Sequence, residues 1–300
     1  MKPRKFKKRK IIPYTMIAPF FILYFVFSLY PVLYSFRISL FDWTGVGEKV
    51  FIGLNNYVQI FTRDRLFLKS LVNAVLLFIF TVPIEVGLGL FTACILKDFI
   101  QKGRNAFQLA NFLPYVTCSV AVGIIFQEMF SWKTGVINFV IEAFGGKTIY
   151  WLGLDWATRI VVIIMVVWKN YGYVMVMFLS GLSTIPEDLY DSAKIDGASW
   201  WQSFWKITLP MLKPIMIFVV TTCLMNAWKL FDEAKLLFDG GEQPVGGPDN
   251  AVLTPILRYY DWSFHYFRYG YGSAYGVVIF VIIALTGLIT VRVMTGNDDD

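Results

Sequence analysis

Apolar runs long enough to cross a bilayer recur along the chain, separated by shorter polar stretches. A membrane helix needs about 20 mostly apolar residues. Six stretches reach that length, near 15–36, 71–96, 109–130, 159–182, 214–236 and 273–294. The fifth is the least uniform, because Lys229, Asp232, Glu233 and Lys235 crowd its second half. The pattern predicts an all-α, polytopic membrane protein with six transmembrane helices. Composition agrees: 57% of the 300 residues are hydrophobic and 16% charged, against about a quarter charged in a soluble domain. Such a chain cannot cover itself with polar surface in water. Most soluble enzyme classes are excluded, and little remains for a large aqueous domain.

Charge orients the spans. Lys2, Arg4, Lys5, Lys7, Lys8, Arg9 and Lys10 place seven cations in the first ten residues. Beside a membrane span, such a stretch is a cytoplasmic anchor rather than a nucleic-acid arm. The apolar run that follows is too long for a signal peptide and has no small-residue cleavage site. With the N-terminus inside, the inner segments 1–10, 97–105, 183–213 and 292–300 carry 14 Lys and Arg in 59 residues. The outer segments 41–70, 131–157 and 239–272 carry 8 in 91, so both termini are expected in the cytoplasm. Phe41, Trp43, Trp132, Trp151 and Trp156 fall at the expected outer interfaces, as an aromatic belt would. The expected organisation is a basic N-terminus over 1–10, one transmembrane domain over 11–296 and an acidic tail over 297–300. Cys94, Cys118 and Cys223 each lie in an apolar segment without a C-x-x-C pair and read as small buried hydrophobes.

The inner segment Ser183–Lys213 is long for a plain loop. Pro186 suits a first helical turn, with Glu187 and Asp188 at the favourable end of the helix dipole. Leu189, Ala193 and Ile195 share a face, and Gly197 ends the helix through a left-handed turn. Trp201, Phe204, Trp205 and Thr208 recur at the spacing of a second short helix, and Pro210 and Pro214 lead into the fifth span. The segment predicts a helix-turn-helix at the membrane surface. It either packs on its own protein or docks a cytoplasmic partner.

Its residues carry a resemblance. Asp191-Ser192-Ala193, three residues, Gly197, then Phe204, Ile207, Leu209-Pro210 and Pro214 resemble the EAA loop of ABC importer permeases, with Asp191 for Glu and Ser192 for Ala. Ile52-Gly53-Leu54-Asn55-Asn56-Tyr57 resembles a run of the carbohydrate permeases. So do Gly240-Gly241, Gly246-Gly247-Pro248 and the stretch from Phe267 to Ala274. The resemblance covers about 12–292. It implies the maltose and glycerol-phosphate type of importer permease, paired with a second permease, two cytoplasmic ATPases and an extracytoplasmic solute-binding protein in a bacterial or archaeal cell membrane. It also implies that Asp191, Ser192, Ala193, Gly197, Phe204 and Pro210 belong to a coupling helix seated in the ATPase. ATP binding then draws the coupling helices together and opens the permease pair outward.

The chain itself offers little chemistry. Gly146-Lys147-Thr148 is the nearest approach to a phosphate loop, but Ile141 stands where the first glycine is needed. ATP and magnesium are therefore expected in the partner ATPase, with no cofactor or metal on this chain. His265 is the only histidine and reads as a surface residue of the last outer loop.

Ionisable and amide groups inside spans are more telling, since such a residue marks a pathway or a pair. Lys169 and Asn170 interrupt the fourth span, and Asn226 and Lys229 the fifth. Lys169 lies 13 residues before Leu182 and Asn226 lies 13 after Lys213, so both stand roughly 20 Å above the inner surface at ~1.5 Å per residue. Lys169, Asn170, Tyr173, Asn226, Lys229 and Leu230 are candidates for the substrate path, because rings and amides suit the apolar faces and hydroxyl edges of a sugar. These positions also match the sugar-contacting segments of maltose-type permeases. Lys169 either meets an acidic substrate or pairs with Asp232 or Glu233. A secondary transporter is the competing reading; it leaves Ser183–Lys213 unexplained, and no internal repeat supports it. An intramembrane enzyme is disfavoured, because the spans lack paired carboxylates, a His cluster or a nucleophile with a base at helical spacing.

Overall fold

The computed structural model describes residues 5–100, 102–238, 244 and 246–296. Gly240-Gly241, the first four residues and the 297–300 tail lie outside them. The helices in chain order are α1 Lys5–Tyr24, α2 Tyr30–Ile38, α3 Asn55–Thr62, α4 Arg65–Asp98, α5 Arg104–Val116, α6 Ser119–Met129, α7 Val136–Ala143, α8 Asp155–Leu182, α9 Glu187–Ile195, α10 Trp200–Ser203, α11 Leu209–Met211, α12 Lys213–Trp228, α13 Asp232–Leu236, α14 Pro255–Tyr260 and α15 Tyr269–Thr295. Wider π-helical turns join α1 to α2 at Phe25–Leu29, α10 to α11 at Phe204–Thr208 and follow α14 at Asp261–His265.

Among the described residues, four helical stretches are long and apolar enough to cross a membrane: Pro13–Ile38, Arg65–Asp98, Asp155–Leu182 and Tyr269–Thr295. The count is six when two bent pairs are taken as one span each. The third expected span, 109–130, is not one straight helix. α5 and α6 meet at 93°, because Thr117 and Cys118 are both extended (ψ 144° and 125°) just after Pro114. A proline and two extended residues leave no continuous ladder for a straight span. The fifth expected span, 214–236, also breaks. α12 ends at Trp228, Phe231 leaves the helical region (φ −136°), and α13 starts afresh with Asp232 and Glu233 in its first turn, where the dipole favours acids. The carbonyl of Leu230 exposed by the break accepts a hydrogen bond from Thr254 Oγ1 at 2.7 Å.

The chain forms two compact units, Met1–Asp64 with Tyr259–Phe280 and Arg65–Arg258 with Val281–Asp300. In the first unit, strands β1 Phe41–Asp42 and β2 Val50–Phe51 pair antiparallel, Phe41 opposite Phe51. Fully buried Asn56 ties this hairpin to α3, donating from Nδ2 to the carbonyls of Ser39 (2.8 Å) and Phe41 (3.0 Å). The carboxylate of Asp64 accepts from Trp262 Nε1 (3.1 Å) and the Tyr275 hydroxyl (2.7 Å), and Arg268 lies over the rings of Trp262 and Tyr271.

The second unit is built on α8, which packs most extensively against α4 and then α5. One apolar cluster gathers Leu77, Phe126, Met165, Leu230 and Leu237 among others. The other gathers Ala93, Leu96, Val174, Met175, Phe178 and Leu212. Gly172 allows α5 to cross α8 closely: a Cβ there would lie 1.8 Å from the Asn111 carbonyl oxygen. Beside that crossing the Tyr171 hydroxyl donates to Asn111 Oδ1, and the rings of Tyr115 and Tyr173 stack at 4.9 Å.

Candidate functional site

Two places in the second unit bring the sequence candidates together: the segment after α8 and the polar wall halfway along it.

The segment after α8 forms the helix-turn-helix that its sequence predicts. Pro186 is the N-cap of α9, and Glu187 and Asp188 lie in the first turn. Beyond the C-cap Asp196, Gly197 takes φ +77°. The Gly197 N–H donates to the carbonyl of Lys194 at 3.0 Å and the Ala198 N–H to that of Ala193 at 2.8 Å, the paired bonds of a Schellman turn. No described residue lies within 4 Å of where a Gly197 Cβ would stand, so the backbone angle requires glycine. The next helix starts with a capping box in which the Gln202 N–H donates to Ser199 Oγ and the Ser199 N–H to Gln202 Oε1.

This segment is fastened to the C-terminal end of α4. Trp200 Nε1 donates to Asp98 Oδ2 at 2.8 Å, and Lys97 Nζ sits 4.2 Å from the ring centre of Tyr190. The Tyr190 hydroxyl lies 2.9 Å from Thr208 Oγ1, and Phe204 stacks on Trp200 at 5.5 Å. A cavity of about 760 Å³ opens between these elements, lined by Cys94, Lys97, Asp98, Tyr190, Lys194 and Phe204 among others. Leu212 then marks a 70° bend into α12, between Pro210 and Pro214. The expected apolar face is split: Phe204 and Thr208 turn inward, while Ile195, Trp201 and Trp205 stay exposed, Ile195 at 86%. Asp191 and Ser192 are exposed, Ala193 is half-buried and Pro210 is exposed. Asp191 accepts from Lys194 Nζ at 3.0 Å, and this carboxylate raises the lysine pKa above its ordinary value.

Halfway along α8, Lys169 is not an unpartnered cation. Its ammonium donates to Glu233 Oε1 at 2.9 Å and to Ser119 Oγ at 2.7 Å. The expectation that an acidic substrate supplies its partner therefore loses its ground, and the internal pair is what forms. Glu233 lies beyond the break after Trp228, in the first turn of α13. Asn170 Nδ2 donates to Glu85 Oε1 at 3.3 Å. Asn226 and Lys229 are exposed and Tyr173 is half-buried. Leu230 is 8% exposed and belongs to the core cluster of α6, α8 and α13. Its side chain is thus packed into that core. The sequence reading missed Glu85, Ser119, Asn111 and Tyr115. Glu85 carried the same signal as Lys169, a lone ionisable residue within an apolar run.

Residues 85–296 match the family described as binding-protein-dependent transport system inner membrane component. The arabinooligosaccharides transport system permease protein AraP of Bacillus subtilis (strain 168) is 31% identical over 96% of this chain and 90% of its own length. The lactose transport system permease protein LacF of Rhizobium radiobacter is 35% identical over 90% of this chain and 89% of its own. A solved chain from a bacterial ABC transporter involved in the import of the acidic polysaccharide alginate superposes with a TM-score of 0.84 at 23% identity, over 96% of both chains, which establishes the fold. The matched family spans both the turn that follows α9 and the polar wall of α8, and the chain belongs to it: it is an inner-membrane component of a binding-protein-dependent transport system.

Proposed function

We propose that this chain is the permease subunit of an ATP-driven importer for a sugar or oligosaccharide. It works with a second, similar permease, two cytoplasmic ATPases and an extracytoplasmic solute-binding protein. Relatives named for arabinooligosaccharide and lactose transport support the substrate class. The termini lie in the cytoplasm, on the side of the Lys- and Arg-rich segments. ATP and magnesium are bound by the partner ATPases and none is hydrolysed on this chain.

The observation that carries the coupling role is the Ser183–Lys213 segment. Its turn is fixed by the Gly197 backbone and the Ser199 capping box, its rear is fastened to α4, and its tip at Ile195 is bare. A rigid element with a bare apolar tip transmits a push from an ATPase cleft to α4 and, through Leu212, to α12. On this reading Asp191, Ser192, Ala193, Gly197, Phe204 and Pro210 form the coupling element. Asn170, Tyr173, Asn226 and Lys229 face the path, offering amides, a ring and a cation to hydroxyl groups.

Site-directed cross-linking tests this. In a chain whose exposed Cys118 is replaced by serine, Ile195→Cys should cross-link to the ATPase subunit in whole membranes, and the yield should change when a non-hydrolysable ATP analogue is added. No cross-link from Ile195→Cys, with a normally assembled complex, would remove the coupling role.

A further inference from the structure

The charge state of the polar wall bears on which saccharides pass, a question that rests on the path proposed above. The side chains of Lys169 and Glu233 are 12% and 10% exposed and lie 2.9 Å apart. With Ser119 at 2.7 Å, two of the three ammonium hydrogens are committed. A second acid, Glu85, is 4% exposed and accepts from the amide of Asn170. Lys229 and Asp232, both outside the core, add one charge of each sign. An anionic solute reaches Lys169 only by displacing Glu233 or by lying beside it. Displacement strands a carboxylate inside the membrane, which is costly. Lying beside it sets like charges together, and like-charge juxtaposition also costs. A neutral saccharide meets neither penalty and finds Asn170, Tyr173 and Asn226.

We propose that Glu233 is a specificity-determining residue: by holding Lys169 it withdraws that cation from passing solutes, so the path favours uncharged saccharides over those bearing a carboxylate. Glu233 stands just past the break between α12 and α13. Substrate choice here is a difference between two affinities, set by an internal counter-charge rather than by a new contact.

The test uses the assembled permease pair with its ATPases in lipid nanodiscs, without the binding protein. The probes are radiolabelled lactose, maltotriose and arabinotriose, each with the aldonate made by oxidising its reducing end. In the wild type the best-bound neutral sugar should bind about tenfold or more tighter than its aldonate. Glu233→Gln should narrow that ratio by about tenfold, because Lys169 is then unneutralised. The double variant Lys169→Met/Glu233→Gln, which leaves no charge stranded, should return to the wild-type ratio. It also decides the matter if Glu233→Gln alone does not assemble. Equal or tighter aldonate binding in the wild type would overturn the proposal. So would an unchanged ratio in Glu233→Gln, or loss of neutral-sugar binding in the double variant. Failure of the wild type to bind any of the neutral probes or aldonates would overturn the saccharide path itself, and the charge rule with it.

Discussion

Replacing Gly197 separates a conformational requirement from a packing one. The residue sits at φ +77° with no described residue within 4 Å of where a Cβ would stand, so any loss on substitution comes from the backbone. An L-residue held in the left-handed region costs about 1–2 kcal/mol, and asparagine tolerates that region better than alanine. If docking to the ATPase requires the turn, apparent affinity falls with the fraction of molecules that retain it. Gly197→Ala then lowers affinity by at most roughly 5- to 30-fold. Gly197→Asn should lose least and Gly197→Val most, since β-branched residues are poorly suited to positive φ. The assay titrates purified ATPase against the permease pair in nanodiscs, with thermal unfolding measured in parallel to confirm that the spans are intact. Identical affinity for glycine, alanine and valine would refute the reasoning. Equal losses for asparagine and valine would do the same, because the ranking follows from backbone preference alone.

Gly172→Ala should lower thermal stability by about 1–3 kcal/mol or more, because the new methyl lies 1.8 Å from the Asn111 carbonyl oxygen on α5; unchanged unfolding would show that the two helices slide apart freely. Asn138→Ala should loosen the segment between α6 and α8. Its side chain donates to the carbonyls of Trp132 and Ile149 and accepts from the Ile149 N–H and Trp151 Nε1, and each group left unsatisfied costs about 1–3 kcal/mol where buried; hydrogen exchange at Ile149 should rise, and an unaltered exchange rate would contradict this. Asp191→Ala should reduce transport-coupled ATPase activity more than Asp191→Glu, with unfolding unaffected in both because Asp191 and Lys194 are exposed; equal loss in the two would leave Asp191 with only a helix-surface role.

Much of the fold was legible because its signals are local. Spans follow from runs of apolar residues, and the turn after α9 from Pro186, Gly197 and the proline pair around Leu212. The breaks were harder to read. Thr117-Cys118 and Leu230-Phe231 are apolar or neutral enough to continue a hydropathy window, and hydropathy does not register a change of ψ. The fifth span's crowd of charges was the visible trace of its break, since Asp232 and Glu233 suit a fresh helix start better than a helix interior. The polar wall was partly legible. Lys169 and Asn170 were found by depth, but their partners depend on how α4, α6 and α13 pack on α8. Glu233 lies past the helix break and stands 2.9 Å from Lys169. Asn56 and Asn138 were invisible as structural staples, because a side chain that bonds loop carbonyls carries no periodic signature.

Energised uptake tests the central claim most directly. Proteoliposomes are made with this chain, its partner permease, the ATPases and the solute-binding protein, and loaded inside with ATP or with a non-hydrolysable analogue. The account predicts saccharide accumulation only with hydrolysable ATP, binding protein and an intact Ser183–Lys213 segment, and no response to collapsing the proton and sodium gradients. Accumulation by this chain without the ATPases, abolished when those gradients collapse, would contradict it.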